Sequence, residues 1–392
     1  MRQFIEELKD FWKKGDMVLL ILCLIVSGFG LVCITSATSA DKFGSNLSYI
    51  AIQTLSIGLG VMCYALVSSL DLDLLSEHRG AMVVFNSFLL LLLIPFGVNR
   101  GGNRSWLDLP LIPMMVQPAE ICKITYIIIM ASVMSSHQNT ISHPFSVIHM
   151  GLHLAALVGL NLILSSDMGV SLIFVFIFIG MVFTGGISWW WVLAGIGGVA
   201  AGAPILWNIL PEDNYMKTRI AVLFDPSLDP NGIGPMYQTV RALRSLTGGG
   251  LTGQGLFDGN RTQTNGALFA QHTDFIYSAI GEELGFMGCA AVLILLFLII
   301  FRCFWVGIRS QDTLRRLVCF GVASALIFQV IINVGMNIGV MPVIGLTLPF
   351  ISYGGSSIIT LYVMVGLVSG VYAHPSATSH ERYIHPPIKT IM

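Results

Sequence analysis

Asp274 closes a short polar run, His272-Thr273-Asp274-Phe275-Ile276-Tyr277, shortly before a long apolar stretch begins. A carboxylate at the edge of a membrane span suits a general base acting on a lipid-anchored hydroxyl. A solvated loop aspartate is the plainer alternative. Lys217, Arg219, Arg241 and Arg244 lie in the same polar segment, 211–283. Together they could hold a diphosphate. The run Thr247-Gly248-Gly249-Gly250-Leu251-Thr252-Gly253-Gln254-Gly255 lets backbone approach an anion closely. Its plain alternative is a flexible turn. The segment closes on Gly281-Glu282-Glu283-Leu284-Gly285.

Three more polar groups interrupt apolar surroundings. Glu120 and Lys123 are three apart and share a face if helical. Charges inside a span are costly and usually face a partner or a wet cavity. The pair reads as an ion pair joining helices, with a direct substrate role as the alternative. Asp167, in Ser165-Ser166-Asp167-Met168-Gly169, could cap the following helix or act in a site. Asn333, Asn337, Gly339, Pro342, Gly345, Pro349, Ser352, Gly354, Gly355, Ser356 and Ser357 predict an irregular re-entrant link, since broken backbone at membrane depth is tolerated where it lines a cavity or is buried. A structural hairpin is the alternative.

The elements that must position these residues are membrane spans. Of 392 residues, 55% are apolar and 10% charged, too few charges to cover a soluble surface of this size. A net charge of −1 leaves no basic footprint for nucleic acid. Disorder, a soluble enzyme and a nucleic-acid binder are excluded. The expectation is an all-α polytopic membrane protein, one domain over 1–392. About ten spans are expected, near 17–36, 48–70, 80–98, 119–136, 145–165, 167–186, 188–210, 284–308, 317–341 and 356–373. No cleavage pattern precedes the first run, which is expected to stay as a helix. Arg2, Lys9, Lys13, Lys14, Arg79, Arg302, Arg309, Arg315, Arg316, Arg382 and Lys389 fall on one side; Lys42, Arg100 and Arg104 fall in short loops on the other. That bias places both termini and the tail 374–392 in the cytoplasm, with segment 211–283 outside between spans seven and eight. The seven cysteines sit in or beside apolar runs and read as packing residues without a disulfide framework.

The motifs carry a resemblance. His272-Thr273-Asp274-Phe275-Ile276 leading into Gly281-Glu282-Glu283-Leu284-Gly285-Phe286 resembles the SEDS (shape, elongation, division, sporulation) family, which includes RodA and FtsW. So does Leu348-Pro349-Phe350-Ile351-Ser352-Tyr353-Gly354-Gly355-Ser356-Ser357. Supporting matches are Gln117-Pro118-Ala119-Glu120 with Lys123, Asp225-Pro226 with Asp229-Pro230, and Gly249-Gly250-Leu251 with Gly253 and Gly255.

The resemblance implies a ten-span peptidoglycan glycosyltransferase of the bacterial cytoplasmic membrane that polymerises lipid II at its outer face. Its implied partner is a class B penicillin-binding protein, a transpeptidase. The family's essential loop aspartate falls on Asp274, and its buried ion pair on Glu120 and Lys123. Asp274 would take the proton of the acceptor 4-hydroxyl. That oxygen would invert the donor's anomeric carbon as polyprenyl diphosphate leaves. Cations for the diphosphate are Arg219, Lys217, Arg241, Arg244 and Arg104. Trp106, Gly249, Gly250 and Ser356 are further substrate candidates. Asp167, His272, Glu282, Glu283, Asn337 and Ser352 are other polar candidates. A divalent cation, Mg2+ or Mn2+, could share the charge, though no dedicated metal-ligand cluster is visible.

Some positions depart from the commoner pattern. Ser105 replaces a frequent Arg, Ser165-Ser166 a Gln-Pro, and Arg241-Ala242 a Gln-Ser; Arg241 could therefore replace a charge missing at Ser105. The Trp106 loop and the segment after Gly255 lean the expected role to elongation, with division and sporulation as alternatives. Rival readings are a lipid II flippase and a non-catalytic scaffold for the transpeptidase.

Overall fold

The computed structural model describes residues 14–39, 45–100, 103–108, 114–209, 211, 214–264 and 266–375. Arg2, Lys9, Lys13, Lys42, Arg382 and Lys389, whose charges entered the orientation argument, lie outside the described residues.

The helices are α1 (Met17–Ala37), α2 (Ser45–Ser68), α3 (Leu72–Glu77), α4 (Arg79–Leu91), α5 (Leu93–Phe96), α6 (Pro118–Ser136), α7 (Pro144–Ser165), α8 (Met168–Gly185), α9 (Trp189–Ile209), α10 (Tyr215–Phe224), α11 (Tyr237–Gly248), α12 (Ile276–Arg309), α13 (Thr313–Asn337) and α14 (Gly355–Ala373). Among the described residues ten stretches are long and apolar enough to cross a membrane, with α4 and α5 together making the third. Their starts follow local chemistry. Asp16, Asp167 and Asp312 accept the Leu19, Val170 and Arg315 amides ahead of α1, α8 and α13. Pro118 and Pro144 open α6 and α7, where a missing N–H costs nothing.

Two features depart from the expected all-helical pattern. Gly97–Arg100 (β1) and Asn103–Leu107 (β2) pair antiparallel, with Val98 opposite Trp106. Leu107 also bridges to Val116, tying the hairpin to the approach of α6. A helical stretch over 276–284 precedes the eighth span; the two are separated by a break at Gly285 (φ 66, ψ −164), beyond which the span runs to Arg309, close to the expected 284–308. Glu282 and Glu283 therefore lie on a helix rather than in the preceding loop.

The centre is formed by α6, α13 and α14, the most buried spans. Small residues let α2 and α14 approach closely: a Cβ on Gly366 would stand 3.0 Å from the Tyr64 backbone, and the Ser68 and Ser369 hydroxyls meet at 2.8 Å. The link between α13 and α14 is wedged between spans. A Cβ on Gly30 of α1 would lie 2.7 Å from Ile351 Cα, and one on Gly169 of α8 2.8 Å from the Ile344 carbonyl. Asp16–Arg302 (2.8 Å) and Asp73–Arg315 (2.6 Å) pair charges at the end of the bundle remote from Asp274. Across the described residues α9 is exposed along its length.

Candidate active site

The α13–α14 link, the turn before α12, β2 and the N-terminal ends of α6 and α8 surround a cavity of about 860 Å³. Its wall includes Asp274, Arg219, Asp167, Glu120, Trp106 and His272. Asp274 is held through the backbone. The carbonyls of His272, Thr273 and Asp274 each accept a hydrogen bond from the far side of the fold. Tyr353 N donates to His272 O (2.8 Å) and Ser352 Oγ to Thr273 O (2.6 Å). Asn333 Nδ2 (2.9 Å) and Asn337 Nδ2 (3.0 Å) both donate to Asp274 O. Asn337 Oδ1 also accepts from the Ser278 amide and hydroxyl, locking the first turn of α12 onto α13.

The Asp274 carboxyl faces the Gly345 turn, where an added Cβ would stand 3.8 Å from Oδ2. Burial pushes its pKa up to about 6; the Arg219 guanidinium pulls it down and Asp167 pushes it up. A carboxylate poised there is mostly ionised at neutral pH yet basic enough to take a proton. Arg219 Nη1 donates to the Val343 carbonyl, which fixes this cation on the same link. Asp167 serves both readings offered for it. One oxygen caps α8 (3.1 Å to Val170 N) and the other accepts from Gln117 Nε2 at 2.8 Å on the cavity wall. Its carboxyl too is raised, chiefly by burial. Lys123 Nζ meets Glu120 Oε1 at 2.7 Å with both side chains buried, while Glu120 Oε2 has no hydrogen-bond partner among the described residues.

Comparison with known proteins fits this arrangement. Residues 16–377 match the family model for the cell cycle proteins FtsW, RodA and SpoVE. The chain belongs to the FtsW/RodA/SpoVE family. It is 35% identical over 359 residues to the probable peptidoglycan glycosyltransferase FtsW of Thiomicrospira cyclica, covering 90% of each chain. It is 30% identical over 372 residues to the peptidoglycan glycosyltransferase MrdB of Escherichia coli K12, covering 93% of this chain and 96% of that one. Among solved structures, a chain from a peptidoglycan synthase complex matches with a TM-score of 0.78 at 29% identity, covering 92% of this chain and 98% of its own. The rod shape determining protein RodA of Thermus thermophilus matches at 0.67 and 26%, covering 92% and 97%. This chain is accordingly a multi-span membrane enzyme of the peptidoglycan glycosyltransferase class.

Within this FtsW/RodA/SpoVE fold the other candidate cations lie off the cavity wall. Arg241 donates to the Gly266 (2.5 Å) and Ala267 (3.1 Å) carbonyls and stacks on Tyr237. Arg104 donates to the Ile94 (2.6 Å) and Gly97 (3.0 Å) carbonyls at the end of α5. Lys217 is buried, with its ammonium 5.6 Å from the centre of the Trp207 ring. Arg244 is exposed on α11. Ser105 is buried on the cavity wall, its hydroxyl donating to the Ser165 carbonyl (3.4 Å), and Arg241 does not reach that wall.

The glycine run is pinned by hydrogen bonds to α12. Gln254 N and Gly255 N donate to the Glu282 and Glu283 carbonyls, while Phe286 N and Met287 N donate to the Gly250 and Leu251 carbonyls. The run therefore docks the loop onto the break in α12, and neither Gly249 nor Gly250 lines the cavity. Glu282 accepts from Arg261 N, Thr262 N and Thr262 Oγ1, and Glu283 from Ser36 Oγ and Gln263 Nε2. Both brace the loop. Ser356 Oγ accepts from Gln117 N at 3.4 Å. The His272 ring packs 4.8 Å from Tyr49 and 5.7 Å from Tyr353. Asn333, half of the clamp on Asp274, and Gln329 on the cavity wall had weaker sequence signals: each is a lone amide in an apolar run. Among the described residues no group of three or more His, Cys, Asp or Glu could hold a metal.

Proposed function

We propose that this enzyme polymerises lipid II, with Asp274 as general base. The carrying observation is the Asp274 carboxyl on the cavity wall, its backbone held at three successive carbonyls and Arg219 beside it. The acceptor 4-hydroxyl gives its proton to Asp274. Its oxygen bonds to the donor's anomeric carbon, and the bond from that carbon to the diphosphate oxygen breaks. The α-linked donor becomes a β-linked product in one inversion. Diphosphate is a good leaving group, so no acid on it and no covalent glycosyl-enzyme is required, unlike glycoside hydrolysis. Arg219 is the cation best placed to stabilise the departing charge. Mg2+ or Mn2+ would then be carried by the diphosphate rather than by a cluster of side chains.

The reading places Asp274 and the cavity at the outer membrane face, both termini inside, and the lipid tails between helices. Two substrates held in one plane react at high effective molarity. The similarity to a chain of a peptidoglycan synthase complex supports a transpeptidase partner, a class B penicillin-binding protein. FtsW-named and MrdB-named relatives both match over nine-tenths of the chain, so the elongation role is a proposal that complementation of elongation-deficient and division-deficient cells decides. The activity test is labelled lipid II in detergent, with and without the transpeptidase. Glycan chains from wild type but not from Asp274→Ala support the reading. Chains from both overturn the role of Asp274, and chains from neither overturn polymerisation itself.

A further inference from the structure

The end of α12 remote from Asp274 carries a positive charge that no carboxylate among the described residues neutralises. Arg302 and Arg309 flank one indole: their guanidinium carbons lie 4.2 and 3.8 Å from the centre of the Trp305 ring. Asp16 neutralises Arg302 through two hydrogen bonds of 2.8 and 3.1 Å. Arg309 is exposed, and no carboxylate among the described residues lies within ion-pair distance of it. Tyr372 of α14 completes the patch, its ring 6.5 Å from Trp305 and 5.0 Å from Arg302. Two guanidiniums share one ring, and Asp16 is bonded to only one of them, Arg302.

The patch continues into an apolar face. Ile294, Phe297, Phe301 and Ile308 lie on α12 at helical spacing and are 55–71% exposed. A cation and two aromatic rings at the end of an exposed apolar stripe match one amphiphile in both halves. The chains lie along the stripe, and an anionic head meets the guanidinium at the interfacial depth where Trp and Tyr settle. We propose that this corner of α12 and α14 binds an anionic phospholipid, phosphate on Arg309 and acyl chain over Phe301 and Phe297. In the orientation proposed above, which this inference borrows, the lipid sits in the inner leaflet.

The test uses the full-length protein in a neutral detergent. Native mass spectrometry and thermal unfolding are run with phosphatidylglycerol, phosphatidylcholine or inorganic phosphate. Wild type should retain and be stabilised by phosphatidylglycerol over phosphatidylcholine. Arg309→Gln should weaken that binding roughly fivefold, as expected for one cation near an anionic headgroup. Its unfolding temperature without lipid and its glycosyltransferase activity should be unchanged, since Arg309 is far along the chain from the site. Arg309→Lys should restore the preference. Equal retention of both lipids, equal binding by Arg309→Gln, or the same stabilisation by inorganic phosphate alone would overturn the proposal. So would loss of the lipid preference when a partner's membrane helix covers the stripe while Arg309→Gln has no effect. Because the readout is lipid binding, its failure is separate from any failure of lipid II polymerisation.

Discussion

Asn337 donates from its amide to the backbone carbonyl of Asp274 across 3.0 Å, holding the candidate base from a helix some sixty residues further along the chain. Asn333 does the same one turn earlier at 2.9 Å. The carboxylate thus belongs to α13 by position although it precedes α12 by sequence.

Removing that hold should cost rate more than binding. Asn337→Ala is expected to lower kcat by up to about 10²-fold with KM little changed, since displacement of a reacting group by an ångström has that effect. Asn337→Asp keeps the acceptor used by Ser278 but loses the donors to Asp274, so it should lower kcat alike. Steady-state kinetics with lipid II separate the two constants. Equal losses in kcat and unfolding temperature across both variants would indicate support of the fold alone.

Asp274→Asn should lose about 10²–10⁴-fold in rate, the usual share of a general base. It should not lose stability. Folding raises the carboxyl pKa to about 6, so the ionised form is disfavoured in the native state at neutral pH. A neutral amide escapes that cost, and its unfolding temperature should equal or exceed wild type at pH 7. Near pH 4 both forms are neutral in the native state, and the difference should shrink.

The same carboxyl sets a pH limb. kcat/KM should fall tenfold per unit below about pH 6 as Asp274 is protonated. Arg219 pulls that pKa down, so Arg219→Gln should move the limb upward as well as lower the rate. Arg241→Gln, whose guanidinium is spent on the Gly266 and Ala267 carbonyls, should move neither the limb nor kcat/KM by more than about twofold. A pH–rate series on the three proteins checks this.

Gly285→Ala tests the docking of the glycine run. The backbone there (φ 66, ψ −164) is one that only glycine adopts readily, at a cost of roughly 1–3 kcal/mol to other residues. An added Cβ would also stand 2.4 Å from Gly253 N. The expected result is a clearly lower unfolding temperature in detergent, with loss of activity following from the misplaced loop. Unchanged unfolding would refute the packing described.

The ten spans were legible in the sequence because a stretch of apolar side chains about as long as the bilayer core is thick is a local property. The Glu120–Lys123 pair was legible for the same reason, three residues being one helical turn. Asp274 stood out by type and place, at the mouth of a span. Position in the chain could not tell which way a cation turns. Arg219, Arg241 and Arg104 read alike as phosphate binders, yet only Arg219 reaches the cavity, because the link between α13 and α14 passes beside it and offers the Val343 carbonyl. A long flexible side chain goes to the nearest acceptor, and that acceptor is set by contacts far away in sequence. The pairing of Val98 with Trp106 and the break at Gly285, where the Phe286 and Met287 amides turn to the glycine run, depended on partners of the same kind. Spans and their charges come from the order of residues; the clamp on Asp274 and the choice of its cation come from which helices pack together.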